Sequence, residues 1–378
     1  MERDSVRKIE LSLKLESDRM IYLDLLRIAS SYLIIVYHFQ NQMSLGSAAA
    51  NVQSRLDGFT LAVDLFFALS GFVISSVYSS PIRTRQTFGI FLFKRIARLA
   101  PLHWSIFAIF AIFGALNAAG YVKSNHPELY EVNCILPNVM FLHSFGICKS
   151  LTFNYVSWSI SAEMGMYLIF PFLTHISGKK SGPISILIVL TTLYLLSLER
   201  SFSWLEWSFD FGVLRALPSF LLGMTAYQYR NELSKIPRAA VYLTLCCVLF
   251  VGACLLQAPK PLLLPLVYVI VLLGIGASEQ PATARARRLA PLGQLTYSLY
   301  MLHPLVQTVL LTGVGATLLK LHGVPMTLFV LATLPLMLPI AWLSLVIFER
   351  PVRRRLTRRL VVPPRDREGN LFTPDSRW

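Results

Sequence analysis

Charged residues are scarce in this sequence of 378 amino acids, because Asp, Glu, Lys and Arg together make up only 15% of it. An average soluble domain carries about 25%. Hydrophobic residues make up 54% of the chain, and the mean hydropathy is +0.56. This composition excludes a disordered chain, a coiled coil and a compact soluble enzyme. It is typical of a polytopic helical membrane protein, whose spans each need about 20 predominantly apolar residues.

Acidic residues are also few, at 20 against 35 Lys and Arg, which gives a net charge of +15. In a membrane protein such an excess is typical of cytoplasmic loops. The first 19 residues are polar and charged, so no cleaved signal peptide is expected. The cysteines form neither a Cys-x-x-Cys pair nor a zinc-type spacing, and we predict no metal site.

Ten apolar segments predict an all-α, polytopic transmembrane helical bundle. They run near 21–40, 59–79, 100–119, 155–176, 183–198, 211–229, 239–257, 262–278, 292–313 and 325–348. With the N-terminus cytoplasmic, 27 of the 35 Lys and Arg fall on the cytoplasmic side and six on the outer side. This asymmetry predicts that both termini are cytoplasmic. We expect a cytoplasmic segment 1–20, a membrane domain 21–348 and a basic cytoplasmic tail 349–378.

The longest predicted outer loop, 120–154, leaves two questions open. Its apolar stretch 135–147 is too short to span a bilayer and fits a re-entrant or interfacial segment. Cys134 and Cys148 both fall in this loop. An oxidising compartment would allow a disulfide between them, and two free thiols are the alternative.

The first span carries three ionisable residues, Asp24, Arg27 and His38. Such residues cost several kcal/mol inside a bilayer unless they are paired or hydrated, so they mark candidate functional sites. Arg27 and His38 are eleven positions apart, which places them on one helix face about 16 Å apart. Asp24 lies one turn from Arg27 and can pair with it. His38 is a candidate proton carrier.

Two further carboxylates lie inside predicted spans. Asp64 is near the outer end of the second span, where it could orient the His38 ring or cap a helix. Glu163 lies one to two turns inside the fourth span and has no compensating charge on its own helix. Trp158, at the start of that span, is predicted to be an interfacial anchor. Arg215 is expected to pair with Asp210, close to it in sequence.

Other polar side chains accompany the third and ninth spans. The segment 86–101 is predicted to form an amphipathic helix on the inner leaflet. Lys94, Arg95 and Arg98 form a cationic patch on it that suits phosphate or lipid headgroups. In the ninth span Tyr297, Tyr300 and His303 share one face, and His303 could instead satisfy carbonyls freed by the adjacent proline.

These residues form a pattern that resembles the acyltransferase 3 family of integral membrane acyltransferases, from about residue 20 to about 356. Six motifs carry the resemblance, in order: Arg27 with His38, DLFFALSGF at 64–72, FKRIARLAP at 93–101, WSISAE at 158–163, LGQLTYSLYMLHP at 292–304 and FERP at 348–351. The sequence departs from the family where His103 and Trp104 follow the proline, because the family more often has an aromatic residue such as Tyr there.

The resemblance implies transfer of an acyl group, often acetyl, from cytoplasmic acyl-coenzyme A to a sugar hydroxyl of a polysaccharide, glycolipid or related acceptor. It implies that Arg27 and His38 are required for activity and that the patch at 94–98 binds the coenzyme A phosphates. It also implies a bacterial inner membrane. Some members carry an extracytoplasmic esterase-like domain after the membrane part. None is expected after the last span here, so if transfer to a surface polymer needs such a domain, a separate protein must supply it.

The chemistry of acyl transfer assigns provisional roles. His38 would activate the acceptor hydroxyl or carry the acyl group itself, with Asp64 or Glu163 holding its ring. Arg27 would steady the donor or the oxyanion. Substrate contacts are predicted for the following residues: Asp24, Trp158, Tyr297 and His303.

Two other classes of function fit the same residues. A transporter or flippase of a glycolipid or acyl carrier would also keep ionisable residues inside its spans. The sequence shows no obvious internal repeat, from which many transporters are built. A membrane scaffold in a polysaccharide export complex would tolerate loss of His38 and Glu163.

Overall fold

The computed structural model of the chain describes residues 20–43, 45–78, 84–124, 126–177 and 203–358, together with the single residues 13, 82 and 192. These residues form helices, turns and loops, and contain no strand. The helices are α1 Ile21–Phe39, α2 Ala49–Leu56, α3 Ala62–Val77, α4 Arg85–Ala118, α5 Ile135–Val139, α6 Trp158–Ser177, α7 Gly212–Gln228, α8 Arg230–Leu233, α9 Ala239–Leu255, α10 Lys260–Ser278, α11 Ala284–Leu289, α12 Thr296–Val306, α13 Gly323–Leu343 and α14 Arg350–Thr357.

The predicted all-α membrane architecture is confirmed in its main features. Seven helical stretches of the described chain are long and apolar enough to cross a bilayer, and α9 is a shorter apolar helix. Nine of the ten predicted segments coincide with helices, while the segment near 183–198 lies, apart from residue 192, outside the described residues. Leucines and valines on α9 point outwards, which suits a helix solvated by lipid rather than by water.

Helix α4 differs from the prediction. The segment 86–101 does not form a separate helix, because α4 runs without interruption through Pro101 to Ala118. Its 34 residues span about 51 Å, well beyond the roughly 30 Å of a hydrocarbon core. Thr84 caps the start of the helix by accepting a hydrogen bond from the Thr87 backbone amide. The arginines near its start are therefore rigidly connected to the span.

Helix α3 lies in the centre of the bundle, with most of its residues buried, and packs most extensively against α7. Two glycines allow this contact. A Cβ atom on Gly223 would clash with the carbonyl oxygen of Ala68, and one on Gly71 with that of Phe220. The small residues at these two positions thus permit the close approach of the two helices.

The bundle has two distinguishable ends. We call the end at which α1 begins the proximal end; it also holds the start of α4 and helix α14. There Gly293 packs so closely on Asp24 that an added Cβ would lie 2.6 Å from the Asp24 side chain. The opposite, distal end holds the loops 40–61 and 119–157.

The distal loop 120–154 is compact and internally bonded. Cys134 and Cys148 form a disulfide, which decides the alternative left open by the sequence. The stretch 135–147 contains only the five-residue helix α5 followed by turns, and it does not span the bundle. Within this stretch the ring of His143 stacks on that of His103 of α4, with centroids 5.7 Å apart. His143 also meets the Ser157 hydroxyl at 3.0 Å.

Candidate active site

A cavity of about 240 Å³ opens within the proximal half of the bundle. Side chains from α1, α3, α4, α6, α12 and α14 line it, together with the segment that precedes α12. Its charged and polar lining residues are Asp24, Arg27, Ser70, Arg95, Arg98, Ser159, Glu163, Tyr167, Gln294, Thr296, Tyr297, Tyr300, Glu349, Arg350 and Arg353. The cavity thus brings together residues from the first, second, fourth, ninth and tenth predicted spans and from the basic segment before the third.

The predicted ion pair of the first span is confirmed. Arg27 donates from Nη1 to Asp24 Oδ1 at 2.9 Å, and both side chains are mostly buried. The close approach of Gly293 presses the chain before α12 against this turn of α1. The pair therefore lies on the cavity wall in a defined position.

Of the three cations predicted in the patch on α4, two line the cavity. Arg95 and Arg98 face it, whereas Lys94 is exposed and is absent from the lining. Arg95 is buried over the ring of Tyr78 at 5.5 Å and that of Tyr167 at 5.8 Å. Successive helix positions are 100° apart, so neighbours such as Lys94 and Arg95 cannot share one narrow face.

Two arginines that the sequence placed in the tail belong to the cavity wall. The last span ends in a π-helical segment, Ser344–Glu349, which continues directly into α14. Arg350 donates to Gln294 Oε1 at 2.6 Å, and Arg353 also lines the cavity. Glu349 accepts from Ser298 at 2.6 Å and from Ser344 at 2.8 Å. In the sequence, the FERP motif at 348–351 was the feature that could have indicated this wall.

Glu163 lies on the cavity wall and is held by two hydroxyl groups. Ser70 on α3 donates to Glu163 Oε1 at 2.6 Å, and the hydroxyl of Tyr167, one turn along α6, donates to the same oxygen. No described contact joins Glu163 to His38. The suggestion that Glu163 holds the His38 ring is therefore wrong, although the residue faces the cavity.

Asp64 has a different partner from the one predicted. It accepts from Arg215 Nη2 at 2.8 Å in an ion pair that is almost completely buried. Neither a link to His38 nor the pairing of Arg215 with Asp210 is present, because Asp210 accepts from the Ser208 backbone. Trp158 is buried, and the guanidinium of Arg215 lies over it, 5.3 Å from the centroid of the Trp158 ring. Trp158 is therefore not an interfacial anchor.

His38 instead stacks on a second imidazole. The ring centroids of His38 and His303 are 5.2 Å apart, with an angle of 24° between the planes. Tyr155 lies edge-on to His38 at 4.9 Å, and its hydroxyl donates to Gln307 Oε1 at 2.7 Å. Gln307 in turn donates to the backbone carbonyl of His38 at 3.2 Å. These contacts fix the ring of His38 from two sides.

The suggestion that His303 satisfies carbonyls next to Pro304 stays a prediction. His303 is fully buried, and neither of its ring nitrogens makes a hydrogen bond. The carbonyls of the preceding turn lie near the ring but outside hydrogen-bond geometry. Buried donors and acceptors without a hydrogen bond destabilise a fold, so burial of this ring lowers the stability of the protein.

The imidazole stack lies directly behind the inner end of the cavity. Tyr300 lines the cavity, and its ring centroid is 5.8 Å from that of His303. Ser159 donates to the Tyr300 hydroxyl at 2.8 Å. The single polar stripe predicted on α1 is thus divided: Arg27 faces the cavity, and His38 lies beyond Tyr300.

The charged residues of the lining determine which kind of ligand the cavity suits. The lining contains five arginines and three carboxylates, so it carries a surplus of positive charge. Among the described residues, no three His, Cys, Asp or Glu side chains cluster as potential metal ligands. An anionic ligand suits this cavity better than a cation does.

Comparisons with known proteins identify the family. The sequence model of the acyltransferase 3 family, described as an acyltransferase domain, matches residues 20–346. An uncharacterized protein of Haemophilus influenzae is 26% identical over 154 residues, which are 37% of this chain and 60% of that protein. Acyltransferase MdmB of Streptomyces mycarofaciens is 32% identical over 118 residues, which are 30% of this chain and 27% of that protein. The chain thus covers less than two thirds of either relative, and no solved structure matches it.

Proposed function

The chain belongs to the acyltransferase 3 family, and from this premise we propose that it transfers an acyl group, most simply acetyl, from cytoplasmic acyl-coenzyme A to a sugar hydroxyl at the distal side. The observation that carries the proposal is the arginine-lined cavity whose inner end adjoins the His38 and His303 rings. The family makes the protein an acyltransferase, and donor, acceptor and sidedness are the proposed parts.

The donor enters from the proximal end, which corresponds to the cytoplasm under the positive-inside rule. Arginine guanidinium groups bind phosphates through paired N–H donors, and Arg95 and Arg98 present such groups on the cavity wall. A volume of about 240 Å³ is below the roughly 300–1,000 Å³ typical of sites that enclose a whole ligand. The cavity therefore encloses the thioester arm, and the nucleotide part remains at the opening.

His38 is assigned the role of general base. His38 is half-buried and its ring makes no hydrogen bond to a described residue, so its nitrogens are available to substrate. It takes the proton of the acceptor hydroxyl while the oxygen attacks the thioester carbonyl carbon. The C–S bond then breaks, the thiolate receives that proton, and the ester and free coenzyme A leave.

Arg27 is assigned to the donor rather than to the oxyanion. Eleven residues of α-helix separate it from His38, a rise of about 16 Å. A side chain at that distance cannot touch the carbonyl oxygen that reacts beside His38. Arg27 and Asp24 instead contact the polar arm of the donor, and Tyr297, whose hydroxyl donates to the Leu99 carbonyl, borders the same path.

The acceptor is proposed to be a polysaccharide, glycolipid or related sugar of the bacterial cell envelope, with the protein in the inner membrane. A separate extracytoplasmic transferase would complete delivery to a surface polymer. A transporter or flippase of an acyl carrier is the competing function, and it predicts that no donor thioester is consumed.

The test is release of coenzyme A thiol by the purified protein in nanodiscs. Labelled acetyl-coenzyme A is supplied with a panel of envelope glycans, and label transfer is followed in parallel. His38→Ala should lower turnover by about 10²–10⁴-fold, the usual contribution of a general base. His322→Ala is the matched control, because that imidazole is exposed in a distal loop. Undiminished turnover in His38→Ala would exclude the assigned role, and coenzyme A binding without turnover of any glycan would favour the transporter.

A further inference from the structure

Helix α5 exposes an apolar face at the distal end of the bundle. Leu136 is 64% exposed, and Met140, which directly follows the helix, is 57% exposed. Ile135 and Val139 are exposed beside them, whereas Asn138 is buried. At 100° per residue the four apolar positions fall within an arc of about 140°, and position 138 lies on the other side of the helix. The helix therefore turns one apolar side away from the protein.

Buried hydrogen bonds prevent this face from turning inwards. Asn138 Nδ2 donates to the backbone carbonyl of Cys134 at 2.8 Å and to Thr152 Oγ1 at 2.9 Å. The backbone carbonyl of Asn138 also meets His103 Nε2 of α4 at 2.9 Å. The disulfide between Cys134 and Cys148 closes the segment at its two ends. Rotation of α5 would break bonds between buried groups, so its apolar side chains stay outside.

The exposed face of α5 is continuous with the exposed side of α4. Trp104 Nε1 of α4 donates to the backbone carbonyl of Val139 at 3.0 Å. Trp104 begins a stripe of exposed apolar residues one helical turn apart, at positions 104, 108, 112 and 116. Helix α4 is long and apolar enough to cross a bilayer, and an apolar stripe on the outside of such a span faces lipid. Lipid that covers this stripe therefore also reaches α5.

The charge distribution along the loop agrees with contact to lipid. The segment 135–147 contains no Asp, Glu, Lys or Arg, and the nearest charged residues, Glu131 and Lys149, lie outside the disulfide. A protein partner would be expected to meet a polar rim around an apolar centre. Here the apolar face instead merges with an apolar span on one side and with charged loop ends on the other. This arrangement suits the boundary between hydrocarbon and water.

We propose that α5 and Met140 form a membrane anchor that does not span the bilayer, with their apolar face inserted among the acyl chains of the leaflet at the distal end. Interfacial segments of this kind lie about 5–10 Å deep at the boundary between headgroups and acyl chains. Thr152, which is bonded to Asn138, lies three residues before Tyr155, whose ring contacts His38. The anchor therefore holds the end of the loop that reaches the imidazole stack. The assignment does not depend on the proposed transfer activity.

Water and protein are the competing neighbours of this face. In the first case the loop stands clear of the bilayer, and the Met140 side chain is in contact with solvent. In the second case a second copy of the chain or a partner protein covers α5 and excludes lipid. Contact with acyl chains distinguishes the anchor from both.

The experiment uses the full-length wild-type protein in nanodiscs whose lipids carry a photoactivatable diazirine in one acyl chain. Lipid adducts are mapped by mass spectrometry of peptides, and oxidation of side chains by hydroxyl radicals from the aqueous phase is measured in parallel. The α4 stripe at 108–116 is the hydrocarbon reference. His126, which is exposed in the same distal loop, is the aqueous reference.

The segment 135–140 should carry lipid adducts, as the α4 stripe does, and Met140 should resist oxidation while His126 is modified. The inference is overturned if 135–140 carries no adducts while the α4 stripe does. In that case oxidation of Met140 to the same extent as His126 would assign the face to water, and protection of Met140 would assign it to a protein partner.

A pair of variants tests whether the apolar face itself holds the loop in the leaflet. Leu136→Glu should lose most of the adducts on 135–140 and keep those on the α4 stripe, because a carboxylate is costly in hydrocarbon. Leu136→Met is the matched control, since it conserves volume and apolar character, and should match wild type. Wild-type adduct levels on 135–140 in a folded Leu136→Glu protein would also overturn the inference. If Leu136→Glu does not fold, the adducts of the wild-type protein decide alone.

Discussion

The imidazole rings of His38 and His303 stack face to face, with centroids 5.2 Å apart. They come from the first helix and from α12, 265 positions later in the chain. His38 is half-buried, whereas His303 is fully buried and its ring makes no hydrogen bond. Because the buried ring makes no hydrogen bond of its own, its contribution is its flat face, which holds the His38 ring in place.

Replacement of His303 should separate this positioning role from a chemical one. His303→Phe keeps a flat ring, and we expect it to retain a large part of kcat. His303→Leu should lose most of kcat, with little change in the KM for the donor. His303→Phe should also raise the unfolding temperature, because an unsatisfied buried polar group costs about 1–3 kcal/mol. The measurements are steady-state kinetics and thermal unfolding in detergent. If His303→Phe and His303→Leu both fold and lose kcat equally, the ring nitrogens of His303 are needed.

The buried pair of Asp64 and Arg215 is expected to be structural. Arg215→Met should destabilise the protein by about 3–5 kcal/mol, because it leaves Asp64 charged and buried without its partner. The double variant Asp64→Leu with Arg215→Met should recover most of that loss and keep transfer activity. Thermal unfolding and turnover of the three proteins provide the test. If the double variant is stable but inactive, Asp64 is needed for catalysis and the structural role is wrong.

The contact between α3 and α7 should tolerate no side chain at Gly223. Its Cβ would press on the backbone of Ala68, which cannot move without displacing α3. We expect Gly223→Ala to destabilise the protein by about 1–3 kcal/mol or more. Gly252→Ala is the matched control: it has open space around it in α9 and should stabilise by about 0.5–1 kcal/mol. Unfolding temperatures that fall equally in both variants would contradict this packing.

The stability of the distal end should fall in acid. Burial, with a smaller contribution from His103, lowers the pKa of His143 from its ordinary 6.5 to about 3. The folded protein therefore keeps this ring neutral while the unfolded chain protonates it below pH 6.5. The stabilisation is present above that pH and is lost as the pH falls toward 3, at about 1.4 kcal/mol per pH unit.

His143→Gln should reduce the slope of the unfolding free energy against pH by the equivalent of one proton. His126→Gln, at an exposed position, should leave this slope unchanged. Thermal unfolding between pH 7 and 5 gives the slope for each protein. An unchanged slope in His143→Gln would assign the acid sensitivity to other groups.

Some features of the protein were determined by local sequence. Long apolar runs specify helices of membrane length wherever they occur, so nine of the predicted segments were found as helices. The pair of Asp24 and Arg27 followed from a spacing of one helical turn. In such cases both partners lie on one element, and the geometry of that element is known before the fold.

The tertiary structure decided which helices face one another. Asp64 could have met any basic group near its end of the bundle, and packing of α3 on α7 selected Arg215. The stack of His38 on His303 and the position of Arg353 on the cavity wall likewise depend on helix rotation and on the order of neighbours. These are long-range quantities, set by the close packing of many side chains and by glycine contacts such as Gly223 against Ala68. Periodicity specifies one face of one helix, and only packing determines what that face meets.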